Sequence, residues 1–105
     1  MSSVAPLTML SAVLSLDSSL DGWSLLDPTP HTDRVFRNHV TFSRSFSAPP
    51  IVQVAIVGLD VSNEHNVRVR VRALDITETG FTLMAKTWLS TKIWSVDVSW
   101  LAIGT

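Results

Sequence analysis

Val67-Arg68-Val69-Arg70-Val71-Arg72 alternates β-branched and cationic side chains with a period of two. A strand sends successive side chains to opposite faces, so this hexapeptide places three valines on one face and three arginines on the other. It reads as the middle of a long strand over residues 66–76. The same period runs through most of the chain from residue 38 onward, which makes the fold all-β.

Towards the N-terminus, Val40 and Phe42 alternate with His39 and Thr41 until Ala48-Pro49-Pro50 interrupts them. Proline donates nothing to a ladder and restricts the residue before it, so a new strand is expected at Ile51. Residues 51–57, Ile-Val-Gln-Val-Ala-Ile-Val, are apolar on both faces except at Gln53. That is the mark of a strand covered on both sides, and one of its faces needs a cover from beyond the domain's own core. Gly58 and residues 60–64 are rich in turn formers.

Towards the C-terminus, Thr77-Glu78-Thr79-Gly80 reads as a hairpin turn. Residues 81–88 and 93–103 read as strands joined through Leu89-Ser90-Thr91-Lys92, with Val96, Val98, Trp100 and Ala102 facing one way and Ser95, Asp97 and Ser99 the other. A strand near residues 12–16 brings the number to six. Residues 18–37 differ: they hold Asp-Gly, Asp-Pro and Thr-Pro steps without a sustained period, and predict a long ordered loop of a kind that is commonly functional. No repeat or linker divides the chain, so residues 1–105 are read as one domain with an 18–37 loop and a strand-rich body over 38–103.

A 46% hydrophobic content with four tryptophans is ample for one core. Charged residues make up 16%, few for a lone domain, so some apolar surface is expected to meet another subunit. A net charge of −1 supplies no field to gather nucleic acid or an anionic membrane. Without cysteine there is no disulfide, thiolate metal site or thiol nucleophile. The apolar residues 7–16 follow no Lys or Arg and are read as mature structure, so a cytoplasmic or non-classically secreted protein is expected before a classically secreted one. No apolar run approaches the about 20 residues of a spanning helix, and no membrane insertion is expected.

His31, His39 and His65 lack metal-ligand spacing, and Asp60 with Asn63 and Glu64 matches no EF-hand loop. No Gly-x-Ser-x-Gly elbow or pair of carboxylates announces catalysis. Neither a metal, a cofactor nor an enzymatic activity is therefore expected. The arginine face leaves two readings open: a solvated strand face, or a subunit contact or ligand pocket in which a guanidinium's planar five-donor fork meets polyol or carboxylate oxygens. Trp88 and Trp94, which flank the 89–92 connection, are either packing residues or the flat wall of a sugar site.

Residues 40–103 resemble the H-type lectins. The matching elements are Val40-Thr41-Phe42, Phe46 with Pro49-Pro50-Ile51-Val52, Gly58-Leu59-Asp60-Val61, Asn66-Val67-Arg68-Val69, Thr79-Gly80-Phe81, Thr87-Trp88, Ser90-Thr91-Lys92-Ile93 and Val98-Ser99-Trp100. No single element is specific; their order and loop lengths together are. The resemblance implies a six-stranded antiparallel β-sandwich assembled as a homotrimer, with sites near the subunit boundaries for glycans ending in galactose or N-acetylgalactosamine. Carried over by position, Arg68 matches the family's sugar-binding arginine and Trp88 the tryptophan of its Thr-Trp motif. Leu89 stands where the family has a sugar-contacting histidine, and Trp94 where an aromatic contact is common. An acidic contact from the N-terminal loop falls on His31 or on Asp27, depending on where the gap is placed. The rival reading is a trimeric assembly protein of the same fold whose sugar binding is lost or altered.

Overall fold

The computed structural model describes residues 6–27 and 32–105. Six strands follow one another: β1 (Thr8–Asp17), β2 (Arg34–Thr41), β3 (Ile51–Val61), β4 (Arg70–Leu74), β5 (Gly80–Thr87) and β6 (Ile93–Gly104). They form two three-stranded antiparallel sheets, ordered β1-β6-β3 and β2-β5-β4. The six strands expected from the period-two pattern and the antiparallel sandwich that the family resemblance implies are the observed architecture.

The inner faces meet through the residues that the alternation selects. Phe81, Leu83 and Ala85 of β5 and Val96, Val98, Trp100 and Ala102 of β6 are buried, joined by Leu16, Phe36, Val40, Phe42 and Phe46. Phe42 is the hub of an aromatic cluster, with ring centroids 5.2 Å from Phe46, 5.9 Å from Phe81 and 5.7 Å from Trp100. Each such side chain contributes roughly 1.5–3 kcal/mol by leaving water, so this cluster is a main source of stability. At the Thr77–Gly80 turn, a Cβ on Gly80 would lie 2.2 Å from the Val40 carbonyl oxygen, an approach that only glycine permits.

Several strand limits differ from the sequence expectation. β2 begins at Arg34 and not near residue 38, so the expected 18–37 loop gives up its last four positions to the ladder with β5. The alternation continues back through Phe36, but its next inward position is a buried arginine, which disguises the period. The strand expected over 66–76 is paired only from Arg70 to Leu74, and it ends where Asp75 adopts a φ of 51°. Before Arg70 the chain is held by side chains instead: Thr91 Oγ1 donates to the Asn66 carbonyl at 2.6 Å, and Thr87 Oγ1 donates to the Arg68 carbonyl.

β3 runs past Gly58 to Val61, so Gly58 and Asp60 belong to the strand and not to a turn. A register shift between Ile56 and Gly58 explains the turn-like composition: at the bulge Gly58 faces Asp97, and a Cβ there would lie 2.6 Å from Asp97 Oδ2. Residues 51–57 are apolar towards both sides of their sheet, as read from the sequence, and one of those sides is exposed. Val52 and Val54 pack against the core, while Ile51 and Val57 stay 69% and 58% exposed.

Candidate functional site

The connection between β5 and β6 is the centre of the site. It leaves β5 at Thr87, whose buried hydroxyl is committed to the Arg68 carbonyl, and re-enters the sandwich at the fully buried Ile93. Between them Thr91 is buried. Its Oγ1 donates to Asn66 and accepts from Arg68 Nη1 at 3.3 Å. Nη1 also reaches the Asn66 carbonyl at 3.5 Å. Arg68 is thereby docked on the connection, with its Nη2 and Nε making no hydrogen bond among the described residues. A guanidinium held on one side in this way presents its other donors to a ligand.

Leu89 is 45% exposed and has a φ of 57°. The left-handed region costs a side-chain-bearing residue roughly 1–2 kcal/mol, so the surroundings must hold it there. Arg34 does so. Its guanidinium donates through Nη2 to the carbonyls of Leu89 at 2.9 Å and Thr91 at 2.6 Å. Through Nη1 it donates to Leu25 at 3.0 Å and Ser24 at 3.4 Å. Burial lowers the Arg34 pKa from its ordinary value, and the negative charge of Asp27 opposes that shift.

The loop after β1 is fastened at further points. The Ile93 amide donates to the Leu25 carbonyl at 2.9 Å, Trp23 Nε1 to the Ile93 carbonyl at 3.0 Å, and Ser24 Oγ to the Val35 carbonyl at 3.0 Å. Asp27 therefore follows a segment fixed to the 89–93 connection, in a cleft that it shares with Trp23, Thr32, Asp33 and Arg34. His31, the other candidate from this loop, lies outside the described residues.

Trp88 is half-buried, with Arg70 Cζ 5.5 Å and Lys86 Nζ 6.0 Å from its ring centroid, distances at which a cation is attracted to the ring. Lys86 is also paired with Asp33 at 2.8 Å. Trp94 is placed differently. It is the unpaired residue at a register shift between Val61–Ile93 and Asp60–Ser95, 48% exposed, on the β1-β6-β3 sheet. Among the described residues no hydrogen bond or ring contact joins it to Trp88 or Arg68. Of the residues expected from the sequence, the structure thus gathers Arg68, Leu89 and the Asp27 loop through Thr91 and Arg34, has Trp88 next to Leu89, and sets Trp94 on the other sheet.

Sequence reasoning missed Arg34 and Thr91. The signal for Arg34 was present: counting back by two from Val40 through Phe36 reaches an inward position holding a cation, and a buried arginine must find acceptors. Thr91 carried no comparable signal.

A family model of the H-type lectin domain matches residues 37–103. The chain belongs to the H-type lectin domain family. Carbohydrate binding is the function class that this family supports. This H-type lectin domain is also 38% identical over 77 residues to "ATP synthase subunits region ORF 7" of Fuscovulum blasticum, across 73% of this chain and 67% of that protein. Among solved structures it is similar to recombinant discoidin II of Dictyostelium discoideum, with a TM-score of 0.78 and 22% identity over 99% of this chain and 39% of that one. The wild-type discoidin II structure gives a TM-score of 0.77. An R1 pyocin fiber of P. aeruginosa is more distant, with a TM-score of 0.51 and 15% identity over 96% of this chain and 28% of that one. At these identities the likeness is one of fold, and the H-type lectin domain spans well under half the length of those solved chains.

Proposed function

We propose that the chain is a multivalent lectin, not an enzyme, that binds glycans ending in galactose or N-acetylgalactosamine at the 88–91 connection. The observation that carries this reading is the docked Arg68, whose Nη1 is held by Thr91 while its remaining donors make no bond among the described residues. In this role Arg68 donates to sugar hydroxyls and Trp88 supplies a wall for the C–H face of a galactoside. Leu89 provides a second apolar surface. Asp27 is the preferred acceptor from the N-terminal loop, because a carboxylate makes short, strong bonds to vicinal hydroxyls. His31 remains its alternative, and Trp94 joins the site only if a neighbouring subunit brings it there.

Multivalency comes from a homotrimer built on the outward face of the β1-β6-β3 sheet. Met9, Val13 and Ile51 on that face are each at least 60% exposed. An apolar face of this kind on a small domain is normally covered by a partner. Several weak sites on one particle then act together through avidity.

The test is titration calorimetry with N-acetylgalactosamine on the parent chain and on Arg68→Ala. A charge-assisted hydrogen bond contributes about 1.5–3 kcal/mol. Out of the roughly 4 kcal/mol of a millimolar monosaccharide site, that loss abolishes measurable binding. Unchanged affinity in a folded Arg68→Ala protein refutes the site. A second reading, an assembly protein with lost or altered sugar binding, is favoured by the apolar Leu89 in the family's histidine position. It predicts that no galactoside binds the parent chain while the trimer persists.

A further inference from the structure

We infer that the outward face of the β2-β5-β4 sheet is a binding surface for acidic polysaccharides, chains that carry carboxylate or sulfate groups. The strand register assembles it. Arg37 stands opposite Met84, which stands opposite Arg72, and in the next row on this face Val35, Lys86 and Arg70 are aligned. Neighbouring strands are about 4.8 Å apart and alternate residues of one strand about 7 Å apart, so four cations share a patch roughly 10 Å across.

Asp33 neutralises Lys86. Among the described residues no other ion pair reaches this face, and Arg37, Arg70 and Arg72 are exposed. A chain with a net charge of −1 thus concentrates three uncompensated positive charges on one sheet face. Like charges placed side by side across strands are destabilising, and an anionic ligand removes that repulsion. Met84, between Arg37 and Arg72 in the ladder, is buried, as the aliphatic stems of long flanking side chains allow.

The occupant is argued from the same face. Trp88 adjoins Arg70 and Lys86, which sets an aromatic ring beside cations, a combination suited to a sugar ring bearing an acidic group. Nucleic acid fits less well, because single strands are held by successive stacking rings, whereas on this face the Trp88 ring and the His39 imidazole, which is opposite Thr82, are separated by the rows that hold Lys86 and Met84. Arg37 and Arg72 belong to no part of the galactoside site, so this surface stands or falls separately from that reading.

The experiment titrates the full chain with a sulfated heparin oligosaccharide, an oligogalacturonate bearing carboxylates only, and a neutral galactan oligosaccharide. The surface predicts binding of at least one acidic chain, and the arm that binds identifies the anion. That binding should weaken steeply between about 0.1 and 1 M salt, as the screening length falls from about 10 to 3 Å. Arg37→Gln and Arg72→Gln should each lose about tenfold in affinity for the acidic chain. Arg44→Gln, an equal change of charge in the loop after β2, should stay within about twofold. The proposal is overturned if neither acidic chain binds, if Arg44→Gln costs as much as the other two, or if a DNA duplex competes better than either glycan. It is equally overturned if Arg37→Gln and Arg72→Gln change the sedimenting mass, which would make the face a contact between copies of this chain.

Discussion

Arg34 Nη2 donates to the carbonyl of Leu89, 55 residues further along the chain, at 2.9 Å. The same guanidinium holds Leu25 through Nη1, so one buried cation joins the loop that carries Asp27 to the connection that carries Trp88 and Leu89. The proposed sugar site is therefore organised by a residue that does not belong to it.

Replacing Arg34 by Met keeps the aliphatic stem and removes the fork, leaving the Ser24, Leu89 and Thr91 carbonyls to find other partners while Leu25 keeps the Ile93 amide. Each buried group left unpaired costs about 1–3 kcal/mol. A loss of about 3–5 kcal/mol in total is expected from denaturant unfolding, together with weaker galactoside binding. Arg34→Lys should recover part of the stability, because an ammonium cannot reproduce the planar fork. A loss below about 1 kcal/mol for Arg34→Met would show that the clamp is dispensable.

Leu89 offers a paired test of strain and specificity. Since its φ of 57° is unfavourable for a leucine, Leu89→Gly should raise stability by up to about 1 kcal/mol in thermal unfolding. Leu89→His restores the family's donor and should strengthen or retune N-acetylgalactosamine binding in calorimetry. If it changes neither affinity nor preference, the pocket lies elsewhere, and the cleft around Asp27 and Asp33 becomes the place to search.

On the β1-β6-β3 face, Val13→Glu or Ile51→Glu introduces a carboxylate where the proposed trimer packs. Sedimentation of the parent chain should give about three times the 11.5 kDa chain mass, and either variant a monomer. A monomeric parent chain at micromolar concentration would remove the basis for multivalency. A trimeric Ile51→Glu protein would move the contact to another face.

Chelation provides the fourth measurement. The proposed site uses an arginine, an aromatic wall and a loop acceptor, and among the described residues no group of three or more His, Asp and Glu is placed to hold a metal. Agglutination should persist in EDTA. Activity lost on chelation and restored by calcium would assign a ligand role to the Asp60 to Glu64 region or to another carboxylate group.

Much of the fold was legible because strand burial repeats every two residues. Val96, Val98, Trp100 and Ala102 announced their buried face directly, and the double proline at Pro49-Pro50 marked where β3 begins. Limits failed where the period was locally disguised: by Arg34 on an inward position of β2, by the Gly58 bulge in β3, and by the 66–69 stretch, whose alternation persists although side-chain hydroxyls and not a ladder hold its carbonyls.

By itself the sequence determined the all-β class, the buried face of β6 and the lectin family, since each depends on local alternation or on the order of short motifs. Through the family resemblance it also singled out Arg68, Trp88 and Leu89 as candidate sugar contacts. Tertiary structure alone decided that Arg68 rests on Thr91, that Arg34 ties two loops together, and that Trp94 sits on the opposite sheet from Trp88. It alone brought Arg37 and Lys86 to the face that Arg70 and Arg72 share. Those relationships depend on strand register and on side-chain bonds between residues far apart in the chain, and a period of two says which face a residue takes without saying which strand lies beside it.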